Sequence, residues 1–426
     1  MYLLATAFCL LPSRSPQMDK RFSLSRWAAL PVEVCENIIE FCWGSTPWRY
    51  DDHATLYACA LTCRSWYPRS QSLLYRNVLV SSPRALSRLI SSLRFRPANG
   101  RFILHIRIQS DLEKERNNSW IGLIPLRLMP LAKNIMTVKI MHVSMTLLHP
   151  TFLIFMSRFQ TVTDLSFRFV VFPTFDFFSR LICAFRSLRR LDLEMVPVSR
   201  DDPALLHHVV PRPRDMKLHL EQLSMTSDGR AFLTLVKWLL LTPSPTTLKK
   251  LAFTIITDDL KITNSVKRSM VSLLQRCGPR LQELDLNVNQ VWIHSPELLF
   301  LGWNTKLRSF RLDLDVANSD PNLPSNSTYI SFTLNLIGSI TSPKLEILVL
   351  RFHANAEVNR IVRWDSLDSA LLGPTFRNLK TVVVTWIHNA PSRSPSRTPM
   401  PSRQSSLDIA IHLPKLHAAG VLKTDH

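Results

Sequence analysis

The pattern apolar-x-x-apolar-x-apolar, where x is any residue, recurs ten times between residues 103 and 384. Apolar residues two positions apart are typical of a strand with one buried face. The middle residues of successive triplets lie 26 to 38 residues apart, which indicates a structural repeat. The triplets are Ile103, Ile106, Ile108; Ile135, Val138, Ile140; Val162, Leu165, Phe167; Leu188, Leu191, Leu193; Leu220, Leu223, Met225; Leu248, Leu251, Phe253; Leu281, Leu284, Leu286; Leu307, Phe310, Leu312; Leu345, Leu348, Leu350; and Leu379, Val382, Val384.

Helical patterns separate several of these predicted strands. The stretch "SVKRSMVSLLQRC" places Val266, Met270 and Leu273 on one face, and Gly278 follows its end. The stretches "FDFFSRLICAFRSL" and "RAFLTLVKWLLL" are similar. A strand, a helix and a further strand about 30 residues on predict an irregular leucine-rich-repeat-like solenoid. The structural alternative is an ordinary α/β sheet domain with less evenly spaced strands.

The solenoid hypothesis makes a specific prediction about its strands. They form a parallel sheet on a concave face, and Leu191, Leu251, Leu284 and Leu348 are almost fully buried. The repeat "LQELDLNVN" also carries Asn289 where leucine-rich repeats use an amide to satisfy backbone groups of a turn, although the other repeats mostly lack it.

Two amphipathic helices are predicted before the repeats. In "LPVEVCENIIEFC", Leu30, Val34, Ile38 and Phe41 share a face, with Ile39 beside them and Pro31 and Glu33 in the first turn. In "ATLYACALTCRSWY", the stripe consists of Leu56, Cys59, Ala60, Cys63, Trp66 and Tyr67. Asp51 and Asp52 lie near the start of that second helix, and Pro68 is predicted to end it.

Cys59 and Cys63 could be half of a metal site, a redox pair or part of a buried helix face. A zinc site needs four ligands, and the nearby His53 and Cys42 stand at unsuitable intervals. Free cysteine packs as a small apolar residue. We therefore expect both thiols to face the same way in the apolar stripe, reduced and free of metal.

The segments "LPVEVCENIIEFC", "LTCRSWY" and "LLYRNVLV" together resemble an F-box, over about 50 of the 426 residues. Leu30 and Pro31 match the Leu-Pro pair that opens that family, and Cys63, Arg64 and Trp66 match its second helix. Two features depart from the common pattern: the longer loop "WGSTPWRYDDH", and Thr62 in place of an aliphatic residue. The extended loop and the Tyr-Arg-x-Val exit are similar to F-box proteins of mushroom-forming fungi.

This resemblance implies binding of the adaptor of an SCF-type cullin-RING ubiquitin ligase, with the remaining chain selecting a protein substrate. The residues that it assigns to adaptor binding are Leu30, Pro31, Val34, Ile38, Ile39, Leu61, Cys63 and Trp66. The fold class is then α/β, with a small helical F-box-like unit followed by an irregular leucine-rich-repeat-like solenoid.

The predicted organisation has five parts. A disordered tail spans 1–29, the F-box-like helical domain 30–80 and the solenoid 81–388. A disordered loop rich in Ser, Pro and Arg spans 389–406, and a C-terminal cap spans 407–426. The apolar run near the N-terminus lacks the basic flank of a signal peptide, and Met18 is an equally suitable start.

Composition narrows the function classes. No Walker loop, G-x-S-x-G, H-E-x-x-H or zinc-type Cys/His spacing occurs, so we expect no enzyme activity, no catalytic residues, no cofactor and no metal. Seven irregularly spaced cysteines favour a reduced protein of the cytoplasm or nucleus. No apolar run is long enough to span a membrane.

The formal charge of +20 favours polyanionic partners, although basic residues and aromatics are not interleaved as nucleic-acid binding by base stacking requires. Three function classes stay open. They are an F-box substrate receptor, a solenoid scaffold without a ligase role, and a basic nucleic-acid-binding protein, with nucleic acid the least favoured partner.

Overall fold

The computed structural model describes residues 31–42, 50–110, 119–149, 151–197, 218–256, 259–294, 299–315, 327–354, 364–388 and 413–423. The predicted tail at 1–29, Leu30 and the predicted loop at 389–406 lie outside these residues. The helices are α1 Val32–Cys42, α2 Tyr50–Thr62, α3 Tyr67–Arg76, α4 Pro83–Phe95, α5 Ile124–Leu128, α6 Thr151–Met156, α7 Phe175–Ala184, α8 Gly229–Leu240, α9 Leu260–Cys277, α10 Gln290–His294, α11 Ser327–Gly338, α12 Trp364–Leu371 and α13 Pro414–Ala418. The strands are β1 Asn77–Val80, β2 His105–Gln109, β3 Thr137–Met141, β4 Asp164–Arg168, β5 Arg190–Glu194, β6 Gln222–Asp228, β7 Lys250–Ile256, β8 Glu283–Asn289, β9 Ser309–Asp315, β10 Ile347–Ala354, β11 Thr381–His388 and β12 Leu422–Lys423.

The chain divides into two compact units. The first comprises Met1–Val143 and Leu147–Val162, and the second comprises Ser144–Thr146 and Thr163–His426. The predicted domain boundary at residue 80 falls inside the first unit and stays a prediction.

All the described strands pair in parallel, and within each unit each strand pairs with its neighbours in sequence. In the first unit β1 pairs with β2, and β2 with β3. In the second unit the same order runs from β4 to β12. Parallel neighbours need a crossover connection, and the helices between the strands provide several of these connections. The structure is therefore α/β, with repeated strand-and-helix units.

The thirty residues of the ten triplets are all buried, none being more than 8% exposed. The predicted leucines Leu191, Leu251, Leu284 and Leu348 are at most 2% exposed, which confirms that prediction. Strand residues between the buried ones mostly face outward, as in the alternating burial along β8. The spacing in the sequence thus identifies the buried face of the sheet correctly.

The predicted helices between the strands are also present. Helix α9 buries Val266, Met270 and Leu273 on one face, as predicted from the sequence. Gly278 follows its last residue with a φ of 50°, in the left-handed region that a residue without a Cβ tolerates best. Helices α7 and α8 occupy the other two predicted stretches.

A fully buried lysine joins three helices of the second unit. Lys267 in α9 has no exposed surface, and its Nζ donates a hydrogen bond to the carbonyl oxygen of Trp292 in α10. The same Nζ lies 5.6 Å from the ring centroid of Trp292 and 5.4 Å from that of Phe332 in α11. Cation–π attraction and this hydrogen bond offset part of the cost of burying the ammonium group.

Among the helices that the structure describes, none has both the length and the apolar character that crossing a membrane requires.

Candidate protein-interaction site

Helices α1, α2 and α3 pack around a small apolar core of their own. Ile39 of α1, Leu56 and Cys59 of α2 and Leu73 of α3 form this cluster, and Trp66 packs against it. Arg69 of α3 also forms an ion pair with Glu40 of α1. This packing therefore determines which face of each helix is buried and which face points away from the cluster.

The second predicted helix ends earlier than the sequence pattern indicated. Helix α2 ends at Thr62, whose Oγ1 donates a hydrogen bond to the carbonyl oxygen of Ala58 at 3.0 Å. Pro68 does not end this helix, because it lies in the first turn of α3. Proline suits a first turn, where its missing N–H has no intrahelical partner to lose, but cannot continue a helix that arrives from upstream. A break before Pro68 follows.

This break corrects the prediction for the two cysteines. Cys59 is buried in the core, whereas Cys63 lies beyond the helix end and is exposed. The two thiols therefore do not share a buried face. Burial and the neighbouring Cys42 raise the pKa of Cys59. A hydrogen bond with the Ser65 hydroxyl, 3.0 Å away, lowers the pKa of Cys63.

The free faces of α1 and α2 carry exposed apolar side chains. Pro31, Val34, Ile38 and Phe41 follow at intervals of three or four residues along one side of α1, and all are exposed, Phe41 to 89%. Leu61, in the last turn of α2, is 59% exposed. We call Pro31, Val34, Ile38, Phe41 and Leu61 the apolar stripe. Monomeric soluble proteins keep contiguous apolar surface small unless it contacts a partner.

The predicted adaptor-binding residues divide into three groups. Pro31, Val34, Ile38, Leu61 and Cys63 are exposed, so a partner can reach them. Ile39 has no exposed surface and belongs to the core, and Trp66 is half-buried against that core. Leu30 lies outside the described residues.

The side of α1 that packs against its neighbours is therefore not the apolar side predicted from the sequence, which carries Val34, Ile38 and Phe41. Ile39 and the half-buried Cys35 and Cys42 lie on its inner side. Phe41 is the most exposed apolar residue of the helix. The sequence pattern placed it on the apolar side of the helix, but it was not among the predicted partner residues. Its membership of the Val34 and Ile38 stripe was the signal that could have identified it.

The outward face of the second unit's sheet is polar, and its charges compensate one another. Nη1 of Arg311 lies 3.4 Å from Oδ2 of Asp285, and Nη1 of Arg351 lies 3.9 Å from Oδ2 of Asp313. Burial raises the pKa of both aspartates, although the arginines oppose this effect. Within the described part of the chain, no group of three His, Cys, Asp or Glu side chains is arranged to hold a metal ion.

Comparisons with known proteins give no family model and no curated protein that matches this chain. Solved structures do match. A protein from Bacteroides fragilis is 11% identical, with 67% of this chain and 70% of that chain covered and a TM-score of 0.35. The structure of the Rad7 and Elc1 complex in yeast is similar at 12% identity, with 88% of this chain and 97% of that chain covered and a TM-score of 0.32. An internalin from Listeria monocytogenes is 12% identical, with 80% of this chain and 90% of that chain covered and a TM-score of 0.30. None of these similarities, all at TM-scores below 0.5, assigns a function to this chain.

Proposed function

We propose that this protein is the substrate-recognition subunit of an SCF-type cullin-RING ubiquitin ligase. Its α1–α3 unit binds the ligase adaptor, and its leucine-rich-repeat-like region binds a protein substrate in the cytoplasm or nucleus. The protein itself performs no catalysis and needs no cofactor. The observation that carries the proposal is the apolar stripe, which lies on the segment whose sequence resembles an F-box.

The stripe suits a docking surface for a physical reason. Its side chains are exposed although Ile39, Leu56 and Leu73 already fill the core, so the unit has apolar surface left over after folding. Covering such surface is favourable by roughly 25 cal/mol per Å². Because this driving force is not electrostatic, adaptor binding should change little with salt.

The repeats suit a substrate-binding role because parallel strands present successive outward side chains in register. Asn287, Asp313 and Arg351, for example, stand side by side on β8, β9 and β10. Repeat proteins use such continuous surfaces to bind other proteins. The alternative of a scaffold without a ligase role shares this surface and differs only in lacking adaptor binding.

The test measures binding of purified adaptor to the full chain by calorimetry at 100 and 500 mM salt. The disrupting variant is Val34→Asp with Ile38→Asp, which places charges on the stripe without touching the core. The matched control is Leu126→Asp with Ile154→Asp, at two exposed apolar positions elsewhere in the first unit. Deleting residues 30–67 is a weaker test, because it removes Ile39 and Leu56 and uncovers Leu73.

We expect the stripe variant to lose at least about 30-fold in affinity, as for apolar residues central to an interface, while the control binds as the wild type does. Circular dichroism verifies that both variants are folded. Equal affinity for the stripe variant and the wild type would exclude this docking surface. A folded wild-type chain that binds no adaptor would contradict the receptor function and favour the scaffold.

A further inference from the structure

The turns that lead into four consecutive strands of the second unit carry a concentration of basic side chains. These turns precede β8, β9, β10 and β11, and each supplies one or two exposed Lys or Arg residues. We call this set the basic ridge. Its members are Arg280, Lys306, Arg308, Lys344, Arg377 and Lys380.

The strand register brings the members of the basic ridge to one edge of the sheet. The first residues of the four strands are aligned, with Glu283 opposite Ser309, Ser309 opposite Ile347, and Ile347 opposite Thr381. Just before them, the N–H of Arg308 bonds to the Gln282 carbonyl at 2.7 Å. Since neighbouring strands lie about 4.8 Å apart, the ridge extends over about 14 Å.

Side-chain hydrogen bonds hold these turns in place. The Asn304 amide donates to the Gly278 carbonyl oxygen at 3.0 Å. The Ser342 hydroxyl donates to the Leu307 carbonyl oxygen at 2.8 Å, and the Asn378 amide to that of Pro343 at 2.7 Å. Each bond joins one turn to the turn of the preceding repeat. The backbone that carries the ridge is therefore fixed before any ligand arrives, which lowers the entropy cost of binding.

The charge of the ridge is mostly uncompensated, unlike that of the sheet face. Glu346 lies in this row, and its ion pair with Lys380 at 2.9 Å lowers its pKa, with a smaller contribution from the charge of Arg308. Arg280, Lys306, Arg308, Lys344 and Arg377 form no ion pair with any residue that the structure describes. On the outward sheet face, by contrast, Asp285 and Asp313 each have an arginine partner.

We propose that the basic ridge binds an Asp/Glu-rich segment of the protein substrate. This inference rests on the proposed receptor function and adds the chemistry by which a substrate is recognised. An extended acidic segment lying across the four turns places carboxylates against successive Lys and Arg side chains. The charge concentration also accelerates its association, because opposite charge steers encounter.

Two observations favour an acidic peptide over nucleic acid. The ionised Glu346 repels a chain that bears a phosphate at every unit, whereas a peptide can place a neutral residue there. Single-stranded nucleic acid also needs aromatic side chains on which successive bases stack. The turn before β9 holds a single aromatic pair, Phe300 and Trp303, whose rings pack edge to face with their centroids 4.8 Å apart.

The test uses the full chain and a fluorescent dodecapeptide of alternating glutamate and serine, with binding measured by anisotropy at 50 mM salt. A glutamine–serine peptide and a twelve-nucleotide oligothymidylate are the comparison ligands. The ridge variant is Lys306→Gln, Lys344→Gln and Arg377→Gln. The control variant, Arg230→Gln, Lys261→Gln and Arg268→Gln, removes the same charge from α8 and α9 and leaves all other basic residues in place.

We expect the ridge variant to weaken glutamate-peptide binding roughly tenfold, because each exposed charge contributes modestly, and the control variant to weaken it less than twofold. Glu346→Gln should strengthen binding roughly twofold, a gain that misfolding cannot produce. Equal loss in the ridge and control variants would refute the site. Ridge-dependent binding of oligothymidylate tighter than that of the peptide would replace the acidic segment with nucleic acid.

Adaptor binding, measured on the same variants, separates this inference from the proposed function. If the wild-type chain binds the adaptor but not the glutamate peptide, the ridge is overturned and the receptor function stands. Peptide binding without adaptor binding supports the ridge as a binding site and contradicts the ligase role.

Discussion

Replacing Leu284 by alanine tests the packing of the repeats most directly. Leu284 is 1% exposed near the start of β8, and the register places it between Leu251 of β7 and Phe310 of β9. All three lie in the same buried row. A change at Leu284 therefore affects the contacts of three repeats at once.

The expected cost follows from the atoms removed. Leucine to alanine removes three carbons, and burial of each is favourable by roughly 0.8 kcal/mol, which gives about 2.4 kcal/mol. Leu251 and Phe310 are each held by strand hydrogen bonds of their own, so they cannot move far into the space. The remaining cavity raises the expected loss in free energy of unfolding to about 3–5 kcal/mol.

The assay is urea unfolding followed by far-ultraviolet circular dichroism and tryptophan fluorescence. The matched control is Asn287→Ala, in the same strand on the outward face, which should change stability by less than about 0.5 kcal/mol. A cost for Leu284→Ala below about 1 kcal/mol, or equal to that of the control, would refute the assignment of this row to a close-packed core.

Three further predictions concern ionisable groups. Lys267→Ala should lower the free energy of unfolding by about 2–5 kcal/mol in the same assay, because it leaves a cavity and an unpaired Trp292 carbonyl oxygen. Lys267→Met fills the space and should lower it less. The reverse order of the two variants would contradict the buried-lysine assignment. Cys63, whose pKa the Ser65 hydroxyl lowers, should react fastest with a thiol reagent in the native protein, so Cys63→Ser should remove one equivalent from the fast phase; an unchanged fast phase would contradict this. Burial raises the pKa of Asp313, so the folded state binds this proton more tightly than the unfolded state and stability falls as pH rises through the interval between the two pKa values. Unfolding measured from pH 3 to 7 should therefore show Asp313→Asn gaining stability relative to the wild type as pH rises, and the opposite trend would show that the Arg351 pair outweighs burial.

Some features of this protein are determined by the sequence alone, because they depend on local periodicity. The last two members of each triplet stand two residues apart, which is the period of a strand, and they are buried where that strand pairs. Gly278 marks the end of α9 for an equally local reason, since the backbone there needs a positive φ. The apolar pattern of α1 likewise predicted a helix correctly.

The tertiary structure decided which helix face is covered. Ile38 and Ile39 are adjacent in sequence and equally apolar, yet Ile38 is 38% exposed and Ile39 has no exposed surface. An apolar stripe that contacts a partner looks the same in sequence as one that contacts the protein's own core. Only the placement of α2 and α3, fixed by Leu56, Cys59 and Leu73, distinguishes them.

The basic ridge depends even more on tertiary structure. Its turns are separated by 26 to 38 residues along the chain, so the sequence shows only scattered Lys and Arg residues. Parallel pairing in register brings Lys306, Lys344 and Arg377 to adjacent turns on one edge. The net charge of the chain can be counted from its composition, but its concentration at one edge follows only from the register, because register determines which distant residues become neighbours.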